Sequence, residues 1–329
     1  MKNFIHIQFH DMLNEIDHGL LKYIPEEPPI FSQACRKAVT GGKHMRGIIC
    51  ICSCLAVGGV REIALPLAIS FELAHAFSLV HDDIVDDDIL RRGKTSIHTE
   101  FGTELAVIVG DYLHSSAYRA LRVLFDKNLI SSAEYARILS ILYQFEKDIC
   151  IGQALDMQSK IGDDPEEGLK IAEKKTGNGF MAAAKIGAIA GGGGEDEVAA
   201  LSNYGKYFGI SYQIRDDILD VAGKEDKIGK KIFSDVRRAR NTIVLSHLFS
   251  NINAEDREFL FSLAGKKEFD NSEILQLKKL LKETGAIEFA QKMSLKYAHK
   301  AKEALKDLKD SEYKSVLVEM AKYAAKRDF

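Results

Sequence analysis

"EIALPLAISFELAHAFSLVHDDIVD", residues 62–86, is an apolar run at helical spacing that ends in carboxylates. Its hydrophobic residues go nearly all the way round a 3.6-residue repeat, as expected of a helix enclosed on every side within a bundle. Charge then arrives abruptly: residues 82–88 hold five aspartates in seven positions. Like charges repel, and a carboxylate set against a core without a partner is costly. The arrangement recurs in "QIRDDILDVAG", residues 213–223, with the same D-D-x-x-D spacing behind a second apolar stretch. Two such clusters, each closing an apolar helix, call for a physical cause.

Working outward, helical spacing persists. "ELAVIVGDYLHSSAYRALRVLF" (104–125) is apolar nearly all round, and "EFAQKMSLKYAHKAKEALKDL" (288–308) is amphipathic with lysines on its outer face. No strand alternation and no β-hairpin signal stand out. The expected fold is therefore all-α, a bundle of about ten or more helices around one core. "PEEPP" (25–29) reads as a loop after a first helix. "AGGGGEDE" (190–197) reads as a connection whose acidic residues favour the next helix N-terminus. The two aspartate clusters lie on either side of it and need each other, so residues 1–329 are read as a single domain.

The bulk numbers narrow the class. The chain has 329 residues, 28% of them charged, and a net charge of -3, without the basic surplus of a nucleic-acid binder. There are five cysteines, and Cys50, Cys52 and Cys54 fall in the apolar "IICICSCLAVGG" at a spacing unlike the common zinc patterns. They read as small core thiols. The odd count, with no signal peptide, points to a reducing cytoplasm. No uncharged apolar run reaches about 18 residues, so no transmembrane segment is expected.

Residues four apart on a helix lie about 40° apart around the axis, and adjacent ones about 100°. Asp82 and Asp86 therefore point the same way, with Asp83 on the flank; Asp216 and Asp220 repeat this, with Asp217 on the flank. Each pair can serve a hard cation such as magnesium, which takes one or two carboxylates plus waters and substrate phosphates. Two such helices face to face could hold several ions with a diphosphate between them, and the metal would offset the carboxylate repulsion. Asp82, Asp83, Asp86, Asp216 and Asp220 are the expected ligands. Asp87 and Asp88 read as solvated.

Cations lie close by in sequence. In "DILRRGKTSIH" (88–98), Arg91 would point away from Asp82 on a continued helix, and only a bend near Gly93 would return Arg91 and Arg92 to a phosphate. In "TGGKHMRG" (40–47), Gly41 and Gly42 can open a helix whose first turn carries Lys43 and Arg46. Cations there oppose the dipole but make an anion site. "EKKTGNGF" (173–180) offers Lys175 and Thr176, and His75 shares the helix face of Asp82.

With these residues in hand, the sequence resembles the trans-isoprenyl diphosphate synthases (the polyprenyl synthetase family), most closely archaeal-type short-chain geranylgeranyl diphosphate synthases. The resemblance rests on G-G-K-x-x-R, on the first D-D-x-x-D followed by R-R-G, and on Q-x-x-D-D opening the second. It runs from there to "AIEFAQKMSLKYAHKA" (286–301). It implies condensation of isopentenyl diphosphate with an allylic diphosphate: the allylic diphosphate ionises, the isopentenyl double bond attacks the cation, and a proton leaves. By motif position it implies that Lys43, Arg46, His75 and Arg92 bind isopentenyl diphosphate. Arg91, Lys175, Thr176, Gln213 and Lys230 would hold the allylic diphosphate or shape the transition state, and Gln153 and Asp156 in "IGQALD" would support metal waters or the cation. It also implies three magnesium ions, with manganese an alternative, and a homodimer. Some positions depart from the pattern. Gly47 and Thr95 stand where prolines are usual, and Arg238, Ala239 and Arg240 in "SDVRRARNT" (234–242) replace Glu-Gly-Lys.

Product length is expected to depend on Phe77 and Ser78. Ser78, four residues before Asp82, lies about 40° from it, while Phe77, five before, lies about 140° round and about 7.5 Å along the axis. A growing tail would pass small Ser78 and meet Phe77 as its first large obstacle, with Phe71 or a facing helix as the alternative floor. An aromatic at Phe77 resembles the C20 type; farnesyl or longer-chain synthesis are the alternatives. A class I terpene cyclase would share the first aspartate motif and the all-α fold but not a second D-D-x-x-D, and a catalytically silent helical subunit would have lost its acidic ligands.

Overall fold

The computed structural model describes residues 2–162, 164–223 and 232–327, with side chains from Phe9 onward except that of Pro165. The chain opens with α1 (Lys2–Leu21), α2 (Pro29–Val39), α3 (Met45–Ala56) and α4 (Arg61–Val85). A hairpin of β1 (Leu90–Arg91) and β2 (Lys94–Thr95) follows, then α5 (Ile97–Phe101), α6 (Thr103–Asp126), α7 (Ser132–Gln158) and α8 (Pro165–Ala172). A π-helical turn, Glu173–Gly177, leads into α9 (Asn178–Ala190) and α10 (Glu195–Ala222). The chain continues through α11 (Ser234–Arg237), α12 (Ile243–Ser250), α13 (Ala254–Leu263), α14 (Asn271–Glu283), α15 (Ala286–Ala304) and α16 (Glu312–Lys326). The fold is all-α as expected, apart from the hairpin.

The reason α4 is apolar all round is visible in its neighbours: it packs against α6, α3, α1 and α9. By length and composition it could cross a bilayer, but 61% of its most apolar 18-residue window is buried inside the protein. Two apolar clusters form the core. The larger gathers α3, α4, α6 and α9, and the smaller gathers α12 to α15. α10 ties them together, giving Val198, Leu201, Tyr204 and Phe208 to the first and Ile210, Ile214, Ile218 and Val221 to the second. Its aspartates therefore project from a rod fixed in both clusters. Cys50, Cys52 and Cys54 are fully buried in α3 and unpaired, as read from the sequence.

Local signals set the ends. Ser131 and Glu134 cap α7 reciprocally. α10 begins where the Glu197 carboxylate accepts from the Gly194 N–H at 2.9 Å, the role the acidic run after the glycines was expected to have. The hairpin corrects the sequence reading. Its strands are two residues each, too short to show alternation, and its signal is the pair Arg92-Gly93, both at positive φ (55° and 74°). Two consecutive residues of that kind make the turn whose twist suits a two-residue hairpin, and glycine takes the second place without strain.

Candidate active site

α4 ends at Val85, and Asp86 is its C-cap, with its N–H bonded to the Asp82 carbonyl. Asp82 and Asp86 meet a set of protein cations. Lys175 Nζ lies 3.5 Å from Asp82 and 2.9 Å from Asp156 of α7. Arg240 Nη2 donates to Asp86 at 3.0 Å, and its Nη1 is 3.8 Å from Asp156. The four elements thus alternate acid and base as Asp82, Lys175, Asp156, Arg240 and Asp86. Lys175 is aimed by the π-helical turn, a widening of the helix common at functional sites. Burial opposes its ammonium, but Asp82, Asp156 and Asp86 outweigh that and raise it, so it stays charged. Burial raises the Asp86 carboxyl, as does Asp82, while Lys175, Arg238 and Arg240 pull it down. Arg240, uncertain from sequence alone, keeps a cation on the first motif.

The second cluster divides its tasks. Asp216 is partly exposed and pairs with Arg327 at 2.6 Å, whose guanidinium lies 3.6 Å over the Tyr212 ring. Asp217 is buried, and its carboxylate accepts from Gln213 Nε2 at 2.9 Å; Gln213 in turn accepts from Thr176 Oγ1 at 2.6 Å. Burial raises the Asp217 carboxyl, and the charges of Asp216, Asp156 and Asp220 push it further while Gln213 opposes them. The adjacent Lys175 and Thr176 link the two motifs, Lys175 through Asp82 and Thr176 through Gln213 to Asp217, so both border one cleft.

Two of the expected metal ligands have protein partners away from the other carboxylates. Asp83 points to the far flank of α4, where Arg91 Nε donates to it at 2.7 Å. Burial raises its carboxyl, and Arg91 opposes that. The hairpin does return Arg91 to α4, but to this carboxylate rather than to the cleft. Asp220 is fully buried and accepts from the backbone N–H groups of Ser234 and Asp235, both at 3.1 Å, and from the Ser234 hydroxyl. It caps α11. Asp82, Asp86 and Asp216 remain. Asp88, read as solvated, instead pairs with Arg238 and Arg91, while Asp87 is exposed. Lys230 lies outside the described residues.

The second anion site is built differently from its expectation. The helix opens at Met45, after His44 at φ 44°, so Lys43 precedes it and only Arg46 stands on its first turn. Lys43 is half-buried. The Arg46 guanidinium stacks 4.4 Å from the Phe180 ring, and its Nε is buried with no hydrogen-bond partner. Arg92 Nη1 donates to the Thr40 carbonyl at 3.1 Å. Burial, then the cations of Arg46, Arg92 and Arg91, hold the His75 imidazole well below its ordinary range, so it stands neutral among them.

Sequence reasoning missed the clamp that holds this turn. His44 Nδ1 lies 2.9 Å from Glu72 and Nε2 2.9 Å from Asp17, and the Gly47 N–H donates to Glu72 at 2.8 Å. A proline at 47 would have no such donor. Burial lowers the His44 imidazole, but Glu72 and Asp17 outweigh it and raise it to about 9. The signal was present: Glu72 is the one charged side chain between Glu62 and His81. Arg327 gave no comparable signal, because its partner lies far away in sequence.

Phe77 is half-buried and meets the His114 ring of α6 edge-on at 4.7 Å, where α4 and α6 pack together. The Ser78 hydroxyl is turned back onto the His75 carbonyl at 2.9 Å.

Among the described residues no three carboxylate, thiol or imidazole groups already converge to hold a metal. Asp82, Asp86, Asp156 and Asp216 instead each carry a protein cation. Magnesium binds through one or two carboxylates plus waters and phosphates rather than in an all-protein cage. Both amide atoms of Gln153 are buried without a partner, one turn before Asp156. These residues fit a hard cation that arrives with its diphosphate.

Fold and cleft together have the form of an all-α enzyme of diphosphate chemistry. Comparison with known proteins makes this specific. The polyprenyl synthetase family model matches residues 28–282. The chain is 34% identical to a short chain isoprenyl diphosphate synthase of Methanothermobacter thermautotrophicus, over 92% of this chain and 91% of that one. It is 31% identical to a geranylfarnesyl diphosphate synthase of Aeropyrum pernix, over 95% and 99%. The crystal structure of geranylgeranyl pyrophosphate synthetase from Pyrococcus horikoshii superimposes with a TM-score of 0.90 at 34% identity, covering 99% of each chain. The chain belongs to the polyprenyl synthetase family.

Proposed function

We propose that this chain is a short-chain trans-prenyltransferase that condenses isopentenyl diphosphate with allylic diphosphates and makes mainly geranylgeranyl diphosphate. The observation that carries the reading is the pair of aspartate-bearing helices, α4 and α10, with Lys175, Arg240 and Asp156 between them.

Asp82, Asp86 and Asp216 would hold magnesium ions, three by family resemblance and replaceable by manganese. When bound, these neutralise the leaving diphosphate. Lys175 and Arg240 exchange their carboxylates for diphosphate oxygens, so charge that develops on ionisation meets groups already in place. Thr176 and Gln213 fix the second motif beside it. Arg46, Lys43, Arg92 and neutral His75 seat isopentenyl diphosphate on the neighbouring wall, with its double bond toward the allylic carbon. The cation that forms faces apolar and aromatic side chains, which exclude water until attack and loss of a proton. Phe77 closes the first length of the tunnel. A small motif neighbour, Ser78, and an aromatic stop, Phe77, support the C20 product.

The exposed apolar side chains of α6 and α7, including Val107, Ile108, Tyr143 and Ile151, support assembly as a homodimer. Four buried unpaired thiols support a cytoplasmic setting, and α10, shared by both core clusters, supports reading the chain as one domain. Incubation of the protein with magnesium, radiolabelled isopentenyl diphosphate and geranyl or farnesyl diphosphate, followed by chromatography, tests the activity. Labelled C20 is expected. Allylic turnover that ignores isopentenyl diphosphate would instead mark a cyclase.

A further inference from the structure

The turn that delivers Arg46 is tied to two other helices through one side chain. His44 precedes α3 at φ 44°, a left-handed backbone that is costly for a residue with a Cβ. Both of its ring nitrogens meet carboxylates: Nδ1 lies 2.9 Å from Glu72 of α4, and Nε2 lies 2.9 Å from Asp17 of α1. The other Glu72 oxygen accepts from the Gly47 N–H at 2.8 Å. His44 and Glu72 are buried, whereas Asp17 is half-exposed. An ionised carboxylate only accepts hydrogen bonds, so an imidazole set between two of them donates from both nitrogens and is a cation. The other charged or titratable groups about the ring are Lys43 beside it in the chain, Arg46 of α3, neutral His75 of α4, and Arg92, which faces it across Gly42.

We infer that His44 is a positioning residue for the isopentenyl site: by pairing Glu72 it leaves the charge of Arg46 free for the incoming diphosphate. The inference rests on the prenyl synthase reading. Arg46 Nε is buried with no hydrogen-bond partner, and the guanidinium rests on the face of the Phe180 ring. Burial raises the Glu72 carboxyl, but two cations, His44 and Arg46, and the Gly47 N–H outweigh it and hold the carboxyl below its ordinary range. When His44 loses its proton, Arg46 is the one of those two cations left to balance a buried carboxylate, whose unpaired charge is costly. The charge of Arg46 is then offset within the protein, and a diphosphate is held less tightly. Asp17 supports the imidazolium from outside the cleft, so α1 acts on isopentenyl affinity without touching the substrate. Burial lowers the His44 imidazole, but Glu72 and Asp17 raise it to about 9, so the proton is in place at neutral pH.

The test is steady-state kinetics on the full chain with magnesium, farnesyl diphosphate and isopentenyl diphosphate, with both KM values measured from pH 7 to pH 10. In the unaltered protein KM for isopentenyl diphosphate should rise about tenfold as pH passes about 9, while the allylic KM stays level. His44→Gln should already show the raised isopentenyl KM at pH 7 and carry it unchanged to pH 10. Asp17→Asn keeps an acceptor for Nε2 but removes the charge, so it should match the unaltered protein at pH 7 and bring the rise down from about pH 9 to about pH 8. Thermal melts show whether the His44 variant is folded, and Asp17→Asn decides the matter if it is not. A rise that Asp17→Asn leaves in place would overturn the inference, because a merely structural contact would not move a pH profile. So would equal rises in the two KM values, or an isopentenyl KM that is level through pH 9 in the unaltered protein. Failure of the unaltered protein to make any product from isopentenyl diphosphate at any pH would refute the synthase reading instead.

Discussion

At the scale of single residues, identical spacing hides different tasks. Asp82 and Asp86 form an i,i+4 pair that points the same way and meets Lys175 and Arg240. Asp216 and Asp220 have the same spacing, but a later segment folds back and takes Asp220 as the cap of α11. Helical geometry fixes where a side chain points, not which distant segment arrives to use it. His44 illustrates the other side of this limit, since its partners come from α1 and α4. Its imidazole is raised to about 9, above the ordinary value near 6.5. The stability it contributes is therefore complete below about pH 6.5 and is lost as pH rises through about 9. The melting-temperature gap between the protein and its His44→Gln variant should be wide at pH 6 and close toward pH 9.5. A gap independent of pH would show that His44 is not charged in the fold. Next to it, Arg46→Ala should raise KM for isopentenyl diphosphate about ten- to hundredfold, as expected for loss of a charge-assisted bond to phosphate. The allylic KM should move much less; equal shifts would mean that Arg46 serves the other site.

At the scale of elements, the long helices were legible because apolar periodicity is repeated many times over in each. The connections were not. A hairpin of two-residue strands carries no alternation, yet it decides where Arg91 goes. Its turn depends on Gly93 at φ 74°. Gly93→Val should cost about 1–2 kcal/mol of stability from backbone strain alone. By loosening the Arg91–Asp83 pair it should also raise KM for isopentenyl diphosphate through Arg92. Wild-type melting and kinetics in that variant would show that the hairpin does not position the arginines.

At the scale of the whole molecule, the account depends on two helices remote in sequence presenting carboxylates to one cleft. α10 spans both core clusters, and Asp156 of α7 acts on Asp217 as well as on the cations of the first motif. Arg327 joins from the far end of the described chain and holds Asp216 until a ligand competes for it. The sequence disclosed the two motifs and their helices; their convergence depends on packing among segments that share no local signal. The most direct measurement is the turnover of Asp82→Ala and Asp216→Ala, each checked for an unchanged fold by circular dichroism and thermal melting. Both should lose condensation of isopentenyl with farnesyl diphosphate by about a thousandfold or more, as when a principal electrostatic contact to the transition state is removed. Near-normal magnesium-dependent activity in either folded variant would contradict the shared cleft.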